Sequence, residues 1–289
     1  MGPRVLVVGA GALGSEIVVK LVALGFQKME AVDMDTIEVS NLTRQSLFRT
    51  DHVGRYKAEI VAESVNVYPS VECTFRVCRV ETLPMSYFSS FGLILCGVDN
   101  VETRLWLNDV ACRLSVTLIE GGTEGWMGHV RLVMGGITPC LYCTRFLHAE
   151  RETWALCTLT GTPTNREQIV AWTLTLEWPR LNAVEFDVKD EEHLNRFGEM
   201  AIKRAAQYGI DGIDKPYILE TIRAIVPTVI STTSLIAGIS VLIAQQLTTN
   251  CFTTDANYWF YNGVQGAFLQ SHSLQRDPNC PICHPNDPR

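Results

Sequence analysis

The chain reads as an α/β protein: a doubly wound, mostly parallel, Rossmann-like sheet that carries a small helical insertion. Three observations predict this. Arg4-Val5-Leu6-Val7-Val8 is an apolar run suited to a strand buried on both faces. It passes directly into Gly9-Ala10-Gly11-Ala12-Leu13-Gly14, and an amphipathic stretch from Ser15 to Leu24 follows at helical spacing. Strand, glycine turn and helix N-terminus in that order hold phosphates, because backbone N–H groups and the helix dipole converge on an anion. Asp33 then closes a second strand, Met29 to Asp33, at the separation where a ribose hydroxyl needs an acceptor.

The remaining elements continue the alternation. A helix is predicted from about Gly54 to Val67, a short strand from Val71 to Val77, and an apolar strand from Leu93 to Val98 that ends in Asp99-Asn100. A helix from Val101 to Leu114 and strands at Val116 to Glu120 and His129 to Met134 complete the βαβ rhythm, with helices on both sheet faces. From Cys140 the rhythm stops. Helical stretches at Arg166 to Trp178, Glu191 to Tyr208 and Ile218 to Ile225 place a helical insertion at 145–213, between a first α/β part (1–144) and a second (214–289). The chain returns through an uncharged helix, Thr228 to Leu247, and a closing hairpin, Tyr258 to Asn262 with Ala267 to Ser271.

Composition narrows the function classes. The chain has 289 residues, 47% hydrophobic and 19% charged, which suits a globular protein with a sizeable core. A formal net charge of −7 and the lack of any Lys/Arg run argue against nucleic acid. No signal or transit segment is expected ahead of Arg4. Val226 to Cys251 is uncharged but rich in Thr, Ser and Gln, a poor membrane span and a good core helix.

The candidate chemistry clusters after strand ends. If the glycine turn holds a triphosphate, cations must face it, and Arg44 and Lys57 follow the second strand closely enough to do so. Asp99, at a strand end, is placed to position Mg2+ or to keep two anions apart. Cys140-Leu-Tyr-Cys143 and Cys280-Pro-Ile-Cys283 are two CxxC pairs with the spacing of a closed tetrahedral zinc site, structural rather than catalytic. His284 is an alternative fourth ligand.

Six ordered motifs carry a resemblance over almost the whole chain: Gly9–Gly14, Asp33-Met-Asp35-Thr-Ile, Ser40-Asn41-Leu-Thr-Arg44-Gln45, Val53-Gly-Arg-Tyr-Lys57-Ala58, Gly97-Val-Asp99-Asn and Gly121-Gly-Thr-Glu-Gly125. The CxxC pairs, Cys157-Thr-Leu and Ile225–Ser231 extend it. Together they resemble the adenylation domain of the ubiquitin-activating (ThiF/MoeB-type) family, most closely its neddylation-activating branch. The resemblance implies ATP-dependent adenylation of the C-terminal glycine of a ubiquitin-like modifier, followed by thioester formation on Cys157. It also implies that Gly9, Gly11, Gly14, Asp33, Asp35, Asn41, Arg44, Lys57 and Asp99 bind ATP and Mg2+, and that Arg131 disfavours ubiquitin. A regulatory partner subunit would complete a heterodimer and lend an arginine to the ATP site, and a conjugating enzyme would take the acyl group. The family usually carries a ubiquitin-fold domain after the second CxxC; this sequence ends six residues after Cys283, as a piece of a longer chain or an unusually short member would. Reduced cysteines and the family together imply a cytoplasmic or nuclear location.

Two other readings use the same residues. The activating subunit could serve sumoylation or ubiquitin. From another class, the glycine turn could serve an NAD- or FAD-dependent oxidoreductase, which leaves Arg44, Lys57, Asp99, Cys157 and the CxxC pairs without a purpose.

Overall fold

Strand β1 (Val5–Val8) is buried along its whole length. Its side chains divide between two cores, Val5 and Val7 in one and Leu6 and Val8 in the other, as the period of a strand covered on both faces requires. In the computed structural model, residues 2–283 are described apart from 43–44, 148–161, 183, 185, 188–189, 226–228, 253–254 and 265. They divide into two units, Met1–Ala149 with Thr228–Arg289, and Glu150–Pro227.

In the first unit, β2 (Lys28–Val32), β3 (Glu72–Arg76), β4 (Leu93–Cys96), β5 (Thr117–Glu124), β6 (Met127–Val133), β7 (Tyr258–Asn262) and β8 (Phe268–His272) join β1. The 8-stranded sheet has the order β3-β2-β1-β4-β5-β6-β7-β8. Pairing is parallel from β3 to β5 and antiparallel from β5 to β8. Chain direction across the sheet reverses between β1 and β4, the switch point at which open α/β sheets leave a crevice beyond the strands' carboxyl ends. The register puts Val8, Val32 and Cys96 level, so Gly9, Asp33 and Gly97 emerge side by side.

Helices cover both faces. On one lie α1 (Ala12–Ala23), α2 (Lys57–Val65) and the helix Ile230–Thr248. On the other lie α3 (Met85–Phe88) and α4 (Val101–Leu114), packed with Leu6, Val8, Ile94 and Leu118. Among the described residues, Ile230–Thr248 is the one helix long and apolar enough to cross a membrane. It packs against the sheet instead: Ile236, Ala237, Val241 and Ala244 are buried in the α1 core, and Ser240 answers its own polarity by donating to the Ile236 carbonyl at 2.8 Å.

The second unit is helical. Arg166–Trp172, Trp178–Leu181, Glu191–Gln207 and Lys215–Ile225 surround Ile169, Trp178 and Phe197. Asn165 and Asp190 cap the first and third of these, each accepting backbone N–H groups on a side-chain oxygen. The helix predicted over Arg166 to Trp178 widens into a π-turn at Thr173–Glu177, where Thr173 and Thr175 donate to the carbonyls of Ile169 and Ala171. Helix Lys215–Ile225, which the sequence reading divides from the insertion, joins this core through Ile218 and Ile222.

Candidate functional site

The glycine turn is built by close contact. Gly9 has φ +92°, and a Cβ there would stand 3.0 Å from the Gly97 carbonyl oxygen. A Cβ on Gly14 would lie 1.7 Å from the Gly9 carbonyl oxygen, so no side chain fits where α1 leaves the turn. At Gly11, by contrast, a Cβ would meet nothing within 4 Å. No side chain caps α1, which leaves its first N–H groups to solvent or to a ligand.

Asp33, level with this turn, ties it to β2. One carboxylate oxygen accepts the Ala10 N–H at 2.6 Å and the other the Asp35 N–H at 2.8 Å. Burial pushes the Asp33 carboxyl above its ordinary value, while these donors and Lys57 pull it back. Carboxylate lone pairs remain for a further donor such as a ribose hydroxyl. The segment after Asp33 folds back on itself: Ile37 donates to the Arg55 carbonyl at 2.8 Å, and Lys57 donates through its backbone to Asp35 at 2.9 Å. Lys57 therefore begins α2 beside the end of β2, with its ammonium 2.8 Å from Asp35 Oδ2. Asn41 is buried in this loop and accepts the Glu38 N–H at 3.0 Å.

Beyond β4, Asn100 caps α4 by accepting the Thr103 N–H at 2.7 Å, and Asp99 is exposed on the turn before it. These pieces line one cavity of about 570 Å³, within the usual range for small-molecule sites. Of the residues singled out in the sequence, Gly9, Gly11, Asp33, Asp35, Asn41, Lys57 and Asp99 line it, and Gly14 packs behind the turn. Arg44 and Cys157 lie outside the described residues, as does His284.

Two cavity-lining residues, Gln45 and Arg104, and a third, Glu120, buried against Arg104, are not singled out by the sequence pattern. Gln45 is buried, and its Oε1 has no hydrogen-bond partner among the described residues. It closes the Ser40–Gln45 motif, but nothing in its spacing marks it. Arg104 and Glu120 form a buried pair at 2.6 Å, and Glu120 also lies 3.2 Å from His129 Nε2 and 3.8 Å from Arg131 Nε. A carboxylate closing a buried apolar strand was the available signal for Glu120. Burial alone would raise the Glu120 carboxyl; the charges of His129, Arg104 and Arg131 overrule it and hold it well below the carboxylate range. Because the folded value is depressed, this contribution to stability is present above the unfolded value of about 4.3 and is lost as pH falls below it. Melting temperature should drop on that acid limb. Glu120→Gln should be less stable at pH 7, by roughly 3–5 kcal/mol for buried cations left uncompensated, and flatter below pH 4. A parent and variant with parallel acid limbs would refute this.

Arg131, on β6, is buried. It donates to Thr144 Oγ1 at 3.1 Å, and its Cζ stands 5.5 Å from the Tyr258 ring centroid. Nearby, the two CxxC pairs converge. Cys140, Cys143, Cys280 and Cys283 place their Sγ atoms within 4.8 Å of one another, with neighbouring separations of 3.4, 3.5 and 3.8 Å. A tetrahedron of thiolates at about 2.3 Å from an ion has edges of about 3.8 Å, so the four sulfurs match a closed four-thiolate metal site.

The ThiF family profile matches residues 3–282. This chain belongs to the ThiF family. Among ThiF-family relatives, the NEDD8-activating enzyme E1 catalytic subunit of Arabidopsis thaliana is 34% identical over 98% of this chain and 65% of its own length. The protein of the same name from Saccharomyces cerevisiae is 32% identical over 98% of both chains. This ThiF-family chain thus spans about two thirds of the plant relative's length and nearly all of the yeast one's. The crystal structure of E. coli MccB + ATP has a TM-score of 0.61 at 16% identity, covering 97% of this chain and 67% of that one, a likeness of fold.

Proposed function

We propose that this ThiF-family chain is the adenylating subunit of an activating enzyme for a NEDD8-type ubiquitin-like modifier. The observation that carries the reading is the single cavity in which the glycine turn, Asp33, Asn41, Lys57 and Asp99 meet at the strands' carboxyl ends. It is supported by the shared name of the plant and yeast relatives. A hydride-transfer site would need the glycine turn and Asp33 but has no use for Lys57 and Asp99 beside them.

In the first step a carboxylate oxygen of the modifier's terminal glycine attacks the α-phosphorus of ATP. The bond from that phosphorus to the bridging oxygen breaks, and pyrophosphate leaves. Little proton transfer is involved, so the protein's work is positioning and charge neutralisation. The open N–H groups of the glycine turn and the Lys57 ammonium supply positive charge, joined by Arg44 and by an arginine from a regulatory partner subunit. Asp33 accepts from the ribose. Asp99, an exposed oxygen donor in the cavity wall, is suited to hold Mg2+, whose charge offsets that of the polyphosphate. In the second step the Cys157 thiolate attacks the acyl carbon, AMP leaves, and the thioester is available to a conjugating enzyme. Cys140, Cys143, Cys280 and Cys283 would hold a structural Zn2+ with four thiolates and no open position. Any part Arg131 takes in choosing the modifier passes through β6, since the side chain is buried against Glu120. Among the described cysteines none forms a disulfide, which suits the cytoplasm or nucleus.

The test is modifier-dependent exchange of labelled pyrophosphate into ATP by this chain assembled with its partner subunit, with several modifiers in parallel. Cys157→Ala should retain exchange and lose the reducible thioester entirely. A thioester persisting in that variant would reassign the acyl acceptor, and no exchange with any modifier would remove the proposal.

A further inference from the structure

Arg104 is an arginine held inward beside a nucleotide-sized cavity. Its side chain is 11% exposed, and its guanidinium is engaged on two sides. Nε and Nη2 donate to the Val98 carbonyl at 3.0 and 2.7 Å, and Nη1 donates to Glu120 Oε1 at 2.6 Å. The strand is shaped around this arrangement: a Cβ on Gly122 would stand 2.7 Å from Arg104 Nη1 and 2.4 Å from His129 Cε1. Taking an arginine and a glutamate out of water is costly even when they are paired, so the geometry needs a reason beyond stability.

The bond to Val98 supplies one. Val98 precedes Asp99, whose exposed side chain depends for its placement on the backbone beneath it. On one side that backbone rests on the glycine turn: Gly97 donates to the Val8 carbonyl at 2.9 Å, and a Cβ on Gly97 would stand 3.1 Å from the Gly14 nitrogen. On the other side it is gripped by two N–H groups from one guanidinium, a fork that fixes direction as well as distance.

We propose that Arg104, held in place by Glu120, is a positioning residue that clamps the Val98 carbonyl and so sets Asp99 in the cavity wall. The inference rests on the adenylating reading of the cavity and adds a part to it. It also explains why two charges are buried where a pair of apolar residues would have packed at lower cost.

The discriminating variant is Arg104→Lys. It keeps a cation opposite Glu120, so no uncompensated carboxylate is buried, but an ammonium cannot fork onto Val98 while also meeting the glutamate. In the enzyme assembled with its partner subunit, this variant should melt within a few degrees of the parent and lose about tenfold in pyrophosphate exchange at saturating ATP, as a displaced catalytic group does. In an Asp99→Asn background the same change should cost less than about twofold, because both substitutions act through one group. Amide hydrogen exchange across 97–101 should quicken in Arg104→Lys while that of β1 is unchanged. Parental exchange activity, or tenfold losses that multiply with Asp99→Asn, would overturn the clamp. So would unaltered amide exchange over 97–101. That last measurement does not depend on activity, so an inactive parent would sink the adenylating reading and still leave the clamp to be judged.

Discussion

Lys57→Ala should lower modifier-dependent pyrophosphate exchange by about 10²–10³-fold, the loss typical when one preorganised charge is removed from a developing anionic transition state. Lys57 starts α2 with a side chain only 12% exposed, and its ammonium faces the cavity beside Asp35. The Lys57–Asp35 pair itself adds little to folding: Asp35 is 52% exposed, and such pairs contribute at most about 1 kcal/mol. The melting temperature should therefore move by a few degrees at most while activity collapses. Lys57→Arg should recover part of the rate, since the charge returns with a different reach. Asp35→Asn should cost much less than Lys57→Ala, because it frees the ammonium without removing it. An alanine variant that exchanged pyrophosphate within threefold of the parent would take Lys57 out of the site, whatever its place in the cavity.

The parallel half of the sheet was legible because strands buried on both faces write themselves as unbroken apolar runs. Val5–Val8 and Leu93–Cys96 carry no polar residue to blur them. The glycine turn was legible for a related reason: Gly9 and Gly14 sit where a methyl group would collide with backbone, and no other residue type serves there. Asp33 and Asp99 could be found because each follows a strand end, and the topology brings strand ends together; Lys57 could be found from its place between the second strand and the next helix. Arg104 and Glu120 could not. They stand 16 residues apart on a helix and the next strand, a spacing that pairs nothing by periodicity, and an arginine early in an exposed-looking helix resembles any solvated charge. The burial of Arg131 was not legible for a comparable reason: β6 is an interior strand, flanked by β5 and β7, whose consecutive residues Val130 to Val133 are all buried, and the two-residue alternation of a strand does not register that. The π-turn at Thr173–Glu177 follows from threonine hydroxyls bonding back to the preceding turn, a competition that helical periodicity does not register.

Elemental analysis of carefully purified protein should find one zinc per chain, and loss of the metal should be the largest single destabilisation available by changing one site. The four sulfurs already stand at the separations a tetrahedral thiolate shell requires, and Cys140 and Cys280 are fully buried beside Leu141 in the α4 core. The segment that brings Cys280 there has modest anchors of its own. Asn257 exchanges two hydrogen bonds with Leu274 at 3.0 Å, and Arg276 donates to the Gly136 carbonyl at 2.7 Å and to that of Cys283. Closing a long excursion of chain onto the end of β6 therefore falls largely to the cluster. Structural zinc is worth roughly 10–16 kcal/mol in small peptides. If only a third of that, about 4 kcal/mol, holds the C-terminal segment here, Cys280→Ser should lower the melting temperature by about 8–16 °C, at about 2–4 °C per kcal/mol. A chelator strong enough to strip the ion should reproduce the effect in the parent, and restoring zinc should reverse it. Cys73→Ser, at a buried thiol outside the cluster, should leave the zinc content unchanged. Parent protein that contains no metal yet melts as high as the zinc-supplemented sample would show that the four thiols pack as ordinary core cysteines.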